Sequence, residues 1–151
     1  MMEGKKATIF KKVINIKKKD TDSSCYIVLK TCEEKMLLTN ALSYVANNTI
    51  EQMIKCKDII EMNNLSIKRE KQSSLSYKAN TIKNVYMNIE PLDIFIICDA
   101  LKEYKEKMIG IVKKTNCSSE DLDSSCESIY LCNKLLKELE EKYPEAKKIE
   151  E

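Results

Sequence analysis

The sequence predicts an α+β fold with a small antiparallel sheet, two short helices and a C-terminal antiparallel two-helix hairpin. Three observations predict it: segments rich in β-branched residues or with alternating polarity, two short apolar stripes with helical spacing, and two longer stripes near the C-terminus. The chain of 151 residues is about one domain long, so we expect a single core.

β-Structure is predicted in two regions. Residues 7–16 and 25–31 are rich in β-branched and aromatic residues and flank turn-forming residues 20–24, which predicts an N-terminal β-hairpin. Between residues 65 and 89, apolar and polar residues alternate, and this period of two predicts two or three central strands. The whole sheet would therefore lie within the first 90 residues.

Two short helices are predicted between these strands. Thr31 followed by Glu34 forms a capping box ahead of an apolar stripe with helical spacing, and Thr49 followed by Gln52 forms another. The Asn47-Asn48 pair between the stripes is expected to separate the helices, because asparagine is a weak helix former.

The segment 91–143 is predicted to form an antiparallel helical hairpin. Pro91 suits the first helical position, and apolar residues then recur every three or four positions in two segments joined by a short polar loop. Pro144 ends the second helix, and residues 144–151 are expected to form a charged tail. The single domain thus consists of a basic, β-rich part at residues 1–90, the hairpin and the tail.

The composition excludes several classes of enzyme. Histidine is absent and there are only two glycines, which removes histidine-dependent triads and glycine-rich phosphate loops. The seven cysteines lack the close pairs of a zinc site and do not resemble a secreted disulfide framework. We therefore predict no catalytic residue, no cofactor and no metal.

The same composition predicts a cytoplasmic protein, because there is no apolar run long enough to cross a membrane and no signal-peptide core. Lysine outnumbers arginine 25 to 1, and Ile and Asn are abundant, which is typical of an AT-rich genome. We expect a low-GC bacterium, or a phage or virus whose protein acts in the cytoplasm of the host cell.

Charge is divided unevenly along the chain. Residues 1–85 contain 16 Lys+Arg and 9 Asp+Glu, whereas residues 86–151 contain 10 and 15. The basic half is either solvated surface or a binding surface for an anionic ligand, such as nucleic acid or a nucleotide. The candidate ligand-binding residues are Lys11, Lys12, Lys17, Lys18, Lys68, Arg69, Lys71 and Tyr77.

The predicted hairpin contains more apolar residues than two helices need to pair. Phe95 and Ile96 flank the first stripe, and Leu131 and Leu135 widen the second, so these residues either pack on the sheet or contact another protein. The preferred hypothesis is a non-enzymatic protein-protein interaction module that self-associates as a homodimer or larger oligomer, or binds an unidentified protein. One setting for it is a phage or viral accessory protein that binds host machinery, and the alternative function is the anion binder.

Overall fold

A computed structural model describes residues 25–114, 116 and 118–145. In this part of the chain, two helical hairpins are joined at one end, their base, by a two-stranded ribbon. The elements in chain order are β1 (Cys25–Val28), α1 (Cys32–Lys55), α2 (Ile59–Thr81), β2 (Tyr86–Ile89), α3 (Pro91–Val112) and α4 (Ser119–Lys142).

The predicted α+β fold with a multi-stranded sheet is wrong. Four helices account for most of the described residues, and the sheet has only β1 and β2. Of the described residues predicted as central strands, only Tyr86–Ile89 form a strand, whereas residues 65–81 belong to α2. The predicted strand at residues 7–16 and the turn at 20–24 lie outside the described residues.

The helical period of α2 is concealed by polar residues at buried positions. Its buried side chains are Gln72, Leu75, Ser76 and Ala79, which recur with helical spacing. Because two of the four are polar, the apolar residues alone do not show this spacing. The neighbouring segment from Lys68 to Lys71 contains only strong helix formers, which also favours the helix.

The two predicted short helices are also incorrect, because α1 continues through Asn47 and Asn48 and the chain turns at residues 56–58 instead. Thr49 does not cap a helix. Its hydroxyl donates to the Val45 carbonyl at 2.9 Å and lies 2.8 Å from Gln72 Oε1, so it is satisfied inside the α1–α2 hairpin. Packing against α2 therefore outweighs the weak helix propensity of the asparagines.

The predicted helical hairpin at residues 91–143 is confirmed as α3 and α4. The helices are antiparallel, since the Lys105 Nζ atom is 3.2 Å from Asn133 Oδ1 and Lys102 Nζ is 3.8 Å from Glu140 Oε1. Pro91 is the first helical residue, as expected. The predicted stripes supply buried residues on both helices: Ile94, Ile97, Leu101, Met108, Ser125, Cys132, Leu136 and Leu139.

The β-ribbon pairs β1 with β2 in antiparallel register, with Cys25 opposite Ile89 and Val28 opposite Tyr86. The Tyr143 hydroxyl, just after α4, accepts a hydrogen bond from the Tyr26 N–H at 3.0 Å and donates to the Tyr26 carbonyl at 3.3 Å. A side chain thus satisfies backbone groups of a strand that has only one neighbour in the described sheet.

The core lies at the base, where the two hairpins meet. Fully buried side chains come from all four helices and the ribbon, and include Leu38, Leu42, Met87, Ile94, Ile97, Leu101 and Leu135. Along the α1–α2 hairpin burial ends at Thr49 and Gln72, and none of the residues between them is buried. The outer part of this hairpin therefore projects beyond the core.

Leu135→Ala is expected to lower the free energy of unfolding by about 2–5 kcal/mol, because it leaves a cavity at a fully buried site. Leu122→Ala is the matched control on the same helix, and it should cost less than about 1 kcal/mol since Leu122 is exposed. Urea denaturation followed by circular dichroism measures both. Equal losses in the two variants would contradict the described packing.

Candidate interaction surfaces

A buried carboxylate connects the start of α1 to α4. Glu34 Oε2 accepts the Lys30 N–H at 2.6 Å, and Glu34 Oε1 lies 2.7 Å from the ammonium nitrogen of Lys134. The Thr31 hydroxyl caps α1 by accepting the Glu34 N–H at 3.1 Å, as the capping box predicted. Both carboxylate oxygens thus have a donor, which is the condition for burying a charge.

This environment changes the pKa of both partners. Burial alone would raise the pKa of Glu34, but the hydrogen bonds from Lys134 and the backbone outweigh it and hold the pKa below the ordinary 4.5. The same contact raises the pKa of Lys134. Both groups are therefore charged at neutral pH, and the pair has a structural role in holding α4 against the start of α1.

A second group of charges joins α2 to the start of α3. Lys71 Nζ lies 3.4 Å from Glu90 Oε2 and 3.9 Å from Asp93 Oδ1. Asp93 Oδ2 accepts the Glu90 N–H at 3.0 Å, and the Lys78 ammonium donates to the carbonyl of Asn88. These two lysines are therefore engaged in contacts between elements, so they are poorly placed to bind an external anion.

A polar groove of about 320 Å³ lies between α1 and α2. Its lining residues are Thr39, Ser43, Ala46, Asn47, Arg69, Ser73, Ser76, Tyr77 and Asn80. Ser76 donates to the Thr39 carbonyl at 2.9 Å, and its hydroxyl is 2.8 Å from that of Ser43, so these small side chains hold the two helices together. We call this feature the α1–α2 groove.

Four of the larger side chains that line the α1–α2 groove have no polar partner among the described residues. Within the part of the chain that the structure describes, the side chains of Asn47, Arg69, Tyr77 and Asn80 make no hydrogen bond or ion pair. Tyr77 is 72% exposed. Hydrogen-bond donors and one aromatic ring thus line the same groove and are available to a ligand.

The projecting end of the α1–α2 hairpin carries a cluster of exposed isoleucines, which we call the isoleucine tip. Its members and their exposed fractions are Ile54 78%, Ile59 84%, Ile60 73% and Ile67 55%. Ile60 and Ile67 are two helical turns apart and so share one face of α2, while Ile54 and Ile59 flank the turn. Single exposed apolar residues are common, but four at the end of one hairpin make this end a candidate contact surface.

The predicted interaction residues lie elsewhere and are largely covered. Leu135 is fully buried, and Phe95, Ile96 and Leu131 are half-buried against the core. The additional apolar residues of the C-terminal hairpin therefore pack within the molecule. The sequence did not predict the isoleucine tip, because Ile54 and Ile60 belong to the apolar stripe of a predicted short helix and Ile67 to a predicted strand.

Of the predicted anion-binding residues, the structure describes four and brings two of them together. Arg69 and Tyr77 share the α1–α2 groove, whereas Lys71 pairs with Glu90 and Lys68 is exposed but does not line the groove. The remaining candidates, Lys11, Lys12, Lys17 and Lys18, lie outside the described residues.

Three of the described cysteines are buried, whereas Cys32 and Cys126 are exposed. Cys25, Cys98 and Cys132 are buried, and burial raises the pKa of the Cys132 thiol to about 11, so that it stays protonated. Among the described residues no three His, Cys, Asp or Glu side chains are grouped closely enough to hold a metal ion. No helix in the described part of the chain has the length and apolarity needed to span a membrane.

Comparisons of the chain with protein-family models, curated proteins and solved structures found no match.

Glu34→Gln is expected to lower the free energy of unfolding at pH 7 by about 2 kcal/mol, because it removes charge-assisted hydrogen bonds in a buried position. The folded pKa of Glu34 lies below 4.5, so the stabilisation from its charge is fully present above that pH and is lost as the pH falls through the folded value. The difference between wild type and variant should therefore shrink in acid. Denaturation at a series of pH values measures it, and a difference that grows in acid would contradict the assignment.

Proposed function

We propose that this protein is a non-enzymatic interaction module that self-associates through the isoleucine tip. The observation that carries the proposal is the tip itself: four large apolar side chains, each more than half exposed, at the end of a helical hairpin that projects beyond the core. Leaving them in water is unfavourable, and a partner that covers them recovers this free energy.

The charges around the tip favour a second copy as the partner. Residues 50–68 contain three acidic and three basic side chains: Glu51, Asp58, Glu61, Lys55, Lys57 and Lys68. This balance gives no net attraction to an anionic membrane or to nucleic acid, both of which require a basic surface. A twofold contact brings a surface against itself, and side chains of both signs allow opposite charges to meet there.

The energetics are compatible with a reversible dimer. Two tips bring together eight isoleucines, and full burial of each stabilises the contact by about 1.5–3 kcal/mol. Association costs on the order of 4–15 kcal/mol in lost freedom, and partial burial lowers the gain. A net value near −8 kcal/mol corresponds to a dissociation constant of about 1 µM.

The tip replaces Phe95, Ile96, Leu131 and Leu135 as the proposed contact surface. The hypothesis of a phage or viral accessory protein concerns the setting of the contact, and it stays a prediction.

Ile60→Lys is expected to weaken dimerisation at least tenfold, because it places a charge in the centre of the apolar contact. Met36→Lys is the matched control: Met36 is 62% exposed, close to the 73% of Ile60, but it lies near the base of α1. The wild type and Met36→Lys should show the mass of a dimer by light scattering after size exclusion, and Ile60→Lys that of a monomer.

The dimer should persist at high salt, since its contact is mainly apolar. A monomeric wild type at about 100 µM, far above the expected dissociation constant, would overturn self-association. Equal loss of the dimer in both lysine variants would place the contact outside the tip.

A further inference from the structure

The α1–α2 groove suits a ligand that combines one anionic group with a flat ring. We propose that it binds a nucleoside monophosphate, with the phosphate at Arg69 and the base against Tyr77. The groove and the isoleucine tip share no residue, so nucleotide binding and self-association can be tested independently.

Arg69 is the only arginine in the chain and, among the described residues, the only charged one that lines the groove. Its guanidinium has no partner among the described residues, although the same helix contains a lysine, Lys71, that is paired with Glu90. A planar guanidinium can donate two parallel hydrogen bonds to one phosphate. Asn47 and Asn80 add amide donors in the same groove.

Tyr77 supplies a surface for a base. It lies two helical turns beyond Arg69, and eight residues of helix correspond to about 12 Å between backbone positions. Flexible arginine and tyrosine side chains can shorten this span to the reach between the phosphate and base of one nucleotide. Aromatic stacking tolerates any base, which fits a groove with few groups fixed for readout.

The size and charge of the groove favour a mononucleotide over a polynucleotide. Its volume of about 320 Å³ lies at the lower end of the range for small-molecule sites. A polynucleotide needs a row of cations along its path. The described residues supply the groove with one, and the nearby Lys71 and Lys78 are engaged at the start of α3 and at β2. The small side chains between the helices leave room for the sugar.

Isothermal titration calorimetry with adenosine 5′-monophosphate at about 100 mM salt tests the proposal, and we expect the full chain to bind with a Kd below about 1 mM. Arg69→Gln should weaken binding at least tenfold, since it removes a charge-assisted contact. Tyr77→Ala should weaken it about fivefold or more through the loss of stacking. Lys68→Gln is the matched control, because it removes the same charge one residue away but outside the groove, and it should change Kd less than twofold.

Two smaller ligands test the phosphate contact and the base contact one at a time. Ribose 5-phosphate should respond to Arg69→Gln but not to Tyr77→Ala, and adenosine should show the reverse. Absence of binding by the wild type overturns the proposal, as does equal weakening by Arg69→Gln and Lys68→Gln, which would indicate diffuse attraction to the basic surface. If single-stranded oligonucleotides bind more tightly as their length increases, the ligand is a polynucleotide and the mononucleotide proposal is overturned.

Discussion

The burial of one charged group, Glu34, governs how the two hairpins meet. A carboxylate withdrawn from water requires a donor at each oxygen, and here the donors come from the Lys30 backbone before α1 and from Lys134 on α4. Three parts of the chain are thereby placed together at the point where β1 leads into α1. The apolar core begins beside this contact, with Leu37 and Leu38 one turn further along α1.

Whether a helix could be predicted from the sequence depended on how apolar its buried residues are. In α3 the buried stripe includes Ile94, Ile97 and Leu101, so the helical period is visible in the sequence. In α2 it includes Gln72 and Ser76, whose hydrogen bonds to α1 allow polar groups to be buried. Such partners lie more than twenty residues away and cannot be recognised from local spacing, which is why a helix was predicted as strands.

The basic half shows the same limitation for the candidate sites. Arg69 and Tyr77 could be selected from the sequence as members of a basic cluster, but the described members of that cluster do not all lie together. Lys71 is paired with Glu90, nineteen residues away, and Arg69 faces the α1–α2 groove. The contrast between basic and acidic halves is only a partial guide to pairing. Lys71 of the basic half pairs with Glu90 of the acidic half, whereas the buried Glu34 belongs to the basic half and its partner Lys134 to the acidic one.

Burial in the α1–α2 hairpin ends at Thr49 and Gln72. Because no residue between these two is buried, the hairpin could change in length without disturbing the core. Adding a helical turn to each helix beyond these residues would carry the tip about 5 Å further from the base without changing a core contact. The outer hairpin is thus an adjustable arm. In an assembly held together at the tips, its length would determine the spacing between the bodies of the two subunits.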